Sequence, residues 1–356
     1  MSSAICVLNP SRTEFDFSNV RVNSNYNIIL HCVYDLVNHF DSELEFLKTT
    51  TKNDLVILWH PVEAGVWEQA WMTRLDQVLE SVECRLVYLT GCGHQLDLDR
   101  HFNYKFDIKF FPVFDIRAQD IWGQYKGFAQ PVTVDKIKPY MFINSKDTDH
   151  RRYVLGALLK NNLIDLGTVS YQCSEGISNI NFNAGVGFTD AQLDTVRNMF
   201  DLTQSSIPIK LDDNTVASKL SRNLYLDSYL NIVGETTFIN IPFSHTASFV
   251  TEKTFNAIAN NQMFIVVGQA GSLDLLRSLG YQTFDGIIDE TYDTILNNGQ
   301  RLDAVAKEIV RFVSRPLDAI KQDYQQVQEV ITHNRDLLYQ QNLQTRLQNF
   351  IDQYHR

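Results

Sequence analysis

The chain alternates short, almost uninterrupted apolar runs with stretches whose apolar positions recur at helical spacing. Four such runs open it: "SAICVLN" (3–9), "NIILHCV" (27–33), "DLVILWH" (54–60) and "RLVYLTG" (85–91). Each predicts a buried strand, and "VWEQAWMTRLDQVLES" (66–81) predicts a helix leading into the last of them. Strands apolar on both faces and separated by helices imply a parallel sheet covered on both sides. "FDIKFFPVFDIRAQDIW" (106–122) then predicts a further strand or two, broken by Pro112.

Residues 123–140 hold two prolines, two glycines and little periodicity, and read as a linker. A second alternation follows. "MFINSK" (141–146) starts it, "TDHRRYVLGALLKNN" is a helix with Thr148 or Asp149 as cap, and "LGTVSYQC" is a strand. "TDAQLDTVRNMF" is a short capped helix, and residues 201–219 read as polar loop. "SYLNIVGET" (strand), "TEKTFNAIANN" (helix), "MFIVVG" (strand) and "GSLDLLRSLG" (helix) complete the pattern. From about residue 290 the chain is helical, including a polar tail from Pro316 to Tyr354 with Val327, Val330, Ile331, Leu337, Leu338 and Leu343 at helical spacing. The pattern predicts an α/β protein of two Rossmann-like domains with parallel sheets, residues 1–130 and 131–315. Residues 316–356 form a helical tail that closes across them.

Composition narrows this only slightly. With 356 residues, 44% of them hydrophobic, the chain is a folded protein long enough for two cores. Its net charge of -11 argues against a broad basic face that coats nucleic acid. Five scattered cysteines, without a CxxC, fit a reducing compartment. Cys92 and His94 flank Gly93, but nothing nearby completes a zinc set, so neither a metal nor another cofactor is expected. No apolar stretch approaches the ~18 residues of a spanning helix, and the N-terminus has no charged-then-apolar leader. The expectation is a soluble, cytoplasmic protein without membrane insertion.

The densest chemical signal is "SHTASFVTEKTFNAIANNQMFIVVG" (244–268). Thr251 can cap a helix that begins at Glu252. A glutamate suits the first turn of a helix, whereas a lysine there does not. The bland reading of Glu252 and Lys253 is a solvated pair on a capped surface helix. Their setting favours more: the helix feeds a buried strand, and the preceding strand ends at Glu235. In an open parallel sheet ligands sit beyond the carboxyl ends of the strands, where helix N-termini offer N–H groups to phosphate. Lys253 adds a charge for phosphate, and Glu252 a carboxylate for a ribose hydroxyl pair.

The stretch from Tyr225 to Asp293 resembles the C-terminal half of virus- and phage-encoded glycosyltransferase-like proteins, and is similar to the donor-binding segment of fucosyltransferase-type GT-B enzymes. Such enzymes carry a strand ending near an acidic residue, then Thr-Glu-Lys, a helix, and an apolar strand closed by Gly. "KPYMFINSKDTDHRRYVLGALLKNNLIDLGTVSY" resembles a second segment of the family, with Asn144, His150 and Arg151 in register. Where the family has a basic, proline-bearing stretch, this chain has Ser145-Lys146-Asp147-Thr148-Asp149, with one positive charge at Lys146. The resemblance covers roughly residues 138–295 and extends to none of residues 1–130.

The resemblance implies a GT-B-like fold with a closing C-terminal helix, and a glycosyltransferase of hexosyl or pentosyl type using a UDP- or GDP-linked sugar. It implies that Glu252 holds the ribose, that Lys253 and Arg151 face the diphosphate, and that Glu235 orients the sugar or the loop. Asn144, Lys146 and Thr251 complete the donor set, and no metal is implied. An inverting transfer needs a general base, which in this family comes from the N-terminal domain. Glu63 is the first candidate and His60 the second, both in "LWHPVEAG"; His94 and Asp115 also stand at predicted strand ends. For each, the plainer reading is a solvated or packing residue. Residues 1–130 hold 11 basic and 17 acidic residues, which disfavours but does not exclude a DNA acceptor. Hydroxymethylated bases in phage DNA and a glycan are the acceptors considered, in a host cytoplasm if the protein is viral. The alternative is a non-catalytic nucleotide-sugar-binding or interaction protein of the same fold.

Overall fold

A computed structural model describes residues 2–8, 21–32, 41–42, 44–60, 69–91, 104–122, 136–144, 147–171, 187–203, 222–240 and 249–354. By internal contacts the chain forms two units, Met1–Ile116 with Gln341–Arg356, and Arg117–Gln340.

In the first unit, β1 (Ser2–Ala4) pairs antiparallel with β3 (Arg21–Asn23). The main sheet consists of β2 (Cys6–Leu8), β4 (Asn27–Cys32), β5 (Asp54–His60), β6 (Arg85–Thr90) and β7 (Asp107–Phe110), parallel and in that spatial order. Alternate residues of each strand face opposite sides. Val56, Leu58, Leu86, Tyr88 and Ile108 pack against Leu44, Leu47, Leu75 and Leu79, the last two supplied by helix α1 (Gln69–Val78) and the turn after it. Leu55, Ile57, Trp59, Val87 and Leu89 face the other way. Strands laid down in chain order by right-handed crossovers put their connecting helices on one face. The opposite face therefore needs a cover from elsewhere in the chain. The closing helix, Leu343–Tyr354, provides it by burying Leu347 and Ile351 against that face.

One prediction holds only in part. Within residues 106–122 the strand before Pro112 is present as β7, which ends at Phe110, but beyond the proline Phe114–Trp122 is a helix, α2, and not a second strand. Phe114, Ala118 and Trp122, four residues apart and all buried, make a helical stripe. Asp115 in the first turn favours the helix start.

Asp115 is also where the closing helix is anchored. Arg346 donates to both carboxylate oxygens, at 2.8 and 2.7 Å, and also to Pro112 O and Gln341 Oε1. Asp115 is 1% exposed, so Arg346→Met strands a buried carboxylate and is expected to cost about 3 kcal/mol. Urea unfolding, followed by far-UV circular dichroism, checks this; an unshifted midpoint would show that the pair contributes nothing.

The second unit holds β8 (Lys138–Asn144), β9 (Thr168–Tyr171), β10 (Ser228–Gly234) and β11 (Met263–Val267), all parallel, in the order β11-β10-β8-β9. From β8 the chain runs through α3 (Asp149–Lys160) to β9 at one edge. From β10 it runs through α6 (Glu252–Ala259) to β11 at the other edge, with α4 (Asp190–Thr203) and the short α5 (Arg222–Leu226) lying between β9 and β10 in the chain. After β11 come α7 (Ser272–Ser278), α8 (Asn298–Val313), α9 (Leu317–Gln326) and α10 (Gln328–Gln340). α3 packs against α4 and α8, while α6 packs against β10, β11 and α10. The order reverses between β8 and β10, so the carboxyl ends of these two strands form the topological switch point.

Both units are Rossmann-like, as the sequence led one to expect, and the C-terminal helix Leu343–Tyr354 covers the first sheet. The polar tail is three helices: α9 and α10 belong to the second unit and the closing helix to the first. Among the described residues, no helix is long and apolar enough to cross a membrane.

Candidate functional site at the switch point of the second sheet

β10 ends at Gly234, and the next residue, Glu235, is fully buried. Its carboxylate accepts from Thr251 N (3.1 Å), Thr251 Oγ1 (2.6 Å) and Thr254 Oγ1 (2.7 Å), with a longer bond from Thr236 N at 3.4 Å. An acidic side chain at a strand end thus clamps the start of the following helix, where negative charge is favoured. The cap expected at Thr251 is present, its hydroxyl accepting from Lys253 N at 3.4 Å.

Lys253 does not extend into solvent. Its ammonium donates to Thr236 Oγ1 (3.0 Å), Thr251 Oγ1 (3.1 Å) and Glu252 Oε1 (3.0 Å). Glu252 is largely buried, and its second oxygen, Oε2, has no hydrogen-bond partner. Burial opposes ionisation of this carboxyl, but the charges of Lys253 and Arg117 outweigh it and hold its pKa below the usual glutamate value. The result is a desolvated carboxylate with one oxygen left to accept.

Across the switch point, β8 ends at Asn144, whose Nδ2 is buried without a hydrogen-bond partner. The two strand ends touch so closely that only glycine fits at 234. A Cβ there would lie 2.8 Å from Asn144 Oδ1 and 2.9 Å from Arg151 Nε. Arg151, in the first turn of α3, donates from Nη2 to the carbonyls of Gly234 (2.7 Å) and Glu235 (3.1 Å). His150 Nε2 lies 2.9 Å from the same Glu235 oxygen, which can only accept, so Nε2 carries the proton. Its ring stacks on Phe238 at 5.3 Å. Burial, then the nearby Arg151 charge, pushes His150 down to about 3, so it is neutral at physiological pH.

The stretch that departs from the family has its own structure. Asp147 accepts two bonds of 2.5 Å from the buried Arg152 and one of 2.5 Å from Tyr171 OH. Thr148 occupies the N-cap position of α3, yet its side chain makes no capping bond.

Six of the predicted donor residues (Asn144, Arg151, Glu235, Thr251, Glu252 and Lys253) thus converge within a few ångströms of residues 234–236. Lys146 lies outside the described residues, as do Glu63 and His94. His60 is the last residue of β5, paired in register with Thr90. Asp115 stands not at a strand end but in the first turn of α2, bound to Arg346. Sequence reading missed Thr254, one helical turn past Thr251, and Thr236, next to Glu235; both offered a local signal as hydroxyls flanking the motif. Arg117 and Phe238 offered none. Among the described residues, no group of three His, Cys, Asp or Glu side chains is arranged to hold a metal ion.

What the fold and the site define is a two-unit, Rossmann-like α/β protein with a polar switch-point site in its second sheet. No family model matches the chain, and no curated protein matches it. It is similar to the crystal structure of a UDP-forming alpha,alpha-trehalose-phosphate synthase from Burkholderia xenovorans, at 10% identity and a TM-score of 0.46, over 94% of this chain and 75% of that one. A likeness this distant carries no argument about activity.

Proposed function

We propose that this chain is a glycosyltransferase that binds a UDP- or GDP-linked sugar at the switch point of its second sheet and moves the sugar to an acceptor hydroxyl. One observation carries the reading. A buried carboxylate with a single unpartnered oxygen, Glu252 Oε2, stands at a capped helix N-terminus beside Lys253, and an unpartnered amide, Asn144 Nδ2, ends the strand across the switch point. An acceptor for hydroxyls placed next to a cation and helix N–H groups suits a ribose joined to a diphosphate. The resemblance described for residues 138–295 supports the same assignment.

In this reading the nucleoside diphosphate leaves with growing negative charge, which the fixed charges of Lys253 and Arg151 stabilise without reorganising; the Lys253 ammonium, held by Thr236, Thr251 and Glu252, acts through its charge. Glu252 takes the ribose hydroxyls. If the transfer inverts, Glu63 and then His60 are the candidate bases; Asp115 drops out of this role because Arg346 occupies both of its oxygens. The acceptor is a hydroxymethylated base in DNA or a glycan hydroxyl.

Release of UDP or GDP from UDP-glucose, UDP-galactose, GDP-mannose and GDP-fucose, each with hydroxymethylated DNA and with oligosaccharides, tests the proposal. Glu252→Ala and Lys253→Ala are each expected to lower kcat/KM about 10- to 100-fold, the first by loss of a charge-assisted hydrogen bond and the second by loss of a fixed charge beside the diphosphate. Turnover unaffected by both variants would remove the site from the proposal. A second reading, donor binding without transfer, is favoured by Asp147: it lies where the family is basic and is committed to Arg152. Nucleotide binding without turnover on any acceptor would support it.

A further inference from the structure

Resting on the nucleotide-site reading, a further residue deepens it. Arg301, in the first turns of α8, is 1% exposed and forms no ion pair with any described residue. Burial pushes its pKa down to about 10, which still leaves it charged at neutral pH. The charge is met by four backbone carbonyls and one side-chain amide oxygen, with the field of Asp293 adding to them. Nε donates to Gly268 O (3.2 Å), Nη1 to Ile295 O (2.8 Å) and Leu296 O (3.3 Å), and Nη2 to Phe238 O (2.6 Å) and Asn298 Oδ1 (2.7 Å). A guanidinium has five N–H groups, and all five are used within the protein. None remains for a ligand.

Its acceptors come from the end of β11, the turn before α8, α8 itself and the loop that follows β10. That loop is tied again beside the guanidinium. Asn240 N donates to Asn298 Oδ1 (2.9 Å), Ala270 N to Asn240 Oδ1 (3.1 Å), and Gln269 Nε2 to Ile239 O (3.2 Å). The guanidinium also lies 4.5 Å from the centre of the Phe238 ring, which in turn stacks with His150. On the same loop, Glu235 clamps Thr251, and Thr236 holds the Lys253 ammonium.

We propose that Arg301 is a positioning residue: by joining the loops after β10 and β11 it fixes Glu235, Thr236 and Phe238, and so sets nucleotide affinity without touching the nucleotide. Fork geometry is what the role requires. A lysine keeps the charge but has three donors on one atom and cannot reach acceptors in four segments.

The test is calorimetric titration of the full-length chain with UDP and GDP, at a temperature where circular dichroism shows every variant folded. Arg301→Lys and Arg301→Met are both expected to weaken the better nucleotide tenfold or more. Asn298→Ala, which keeps the guanidinium but removes one of its acceptors, should weaken it a few-fold. Wild-type affinity in Arg301→Lys would show that charge alone matters and overturn the proposal. Unchanged affinity in all folded variants would overturn it while leaving the nucleotide site standing. If neither Arg301 variant folds, Asn298→Ala decides, and unchanged affinity there overturns the proposal. Wild-type protein that binds neither nucleotide would overturn the underlying reading and this inference with it.

Discussion

Replacing Glu235 with alanine is expected to destabilise the second unit by about 4 kcal/mol and to abolish nucleotide binding. The carboxylate is the one acceptor for Thr251 N and a short-bond acceptor for the hydroxyls of Thr251 and Thr254. Each buried donor left unsatisfied costs about 1–3 kcal/mol. Thr251 Oγ1 keeps its contact with Lys253, which limits the total. Glu235→Gln retains one acceptor oxygen but turns an amide N–H₂ toward a hydroxyl, so roughly half the loss is expected. The functional part follows from position: without the clamp, Thr251, Glu252 and Lys253 are no longer held against the end of β10. Urea unfolding of the two variants, with UDP and GDP titrations on the same preparations, reads both effects. A wild-type midpoint for Glu235→Ala would mean the clamp contributes nothing.

The second large effect is acid lability centred on His150. Its pKa is depressed to about 3 in the folded chain by burial and by the Arg151 charge, against about 6.5 when unfolded. The contribution is therefore complete above pH 6.5, where both states are neutral. It is lost as pH falls from 6.5 toward 3, because only the unfolded chain takes up the proton. The slope is about 1.4 kcal/mol per pH unit, or nearly ~3 kcal/mol by pH 4.5. His150→Gln can still donate an N–H toward Glu235 O but does not titrate. The difference in unfolding free energy between wild type and His150→Gln should therefore shift against the wild type below pH 6.5, since the titrating groups common to both chains cancel. Parallel pH profiles would show that His150 is not held neutral.

The parallel sheets were legible because strands buried on both faces leave uninterrupted apolar runs, as in "DLVILWH" and "MFIVVG". α2 was misread because its stripe of Phe114, Ala118 and Trp122 is interleaved with Ile116 and Ile121 behind a proline, which resembles alternation. The tail's helicity was visible in its periodicity. Its division was not, because an apolar stripe does not say which sheet it covers. The face left open by strands laid down in chain order is what claims Leu347 and Ile351.

The site was legible where its parts are local. Thr251 caps the helix it precedes, and Glu252 and Lys253 pair as neighbours. What could not be read is how strand ends meet. Glu235 and Thr251 are 16 residues apart, and Arg301 reaches carbonyls 33 and 63 residues away. The first arises where β10 leads into α6, and the others only when α8 packs beside the carboxyl ends of β10 and β11. Nothing in the local pattern around Arg301 separates it from any other arginine on an amphipathic helix.

The most direct measurement is amide hydrogen exchange of the wild-type chain with and without saturating UDP, and then GDP. With one of them, slowed exchange is expected at residues 234–236 and 251–254, the segments that carry Glu235, Thr236, Glu252 and Lys253. Unchanged exchange with both nucleotides, or protection confined to other segments, would contradict a nucleotide site at the switch point.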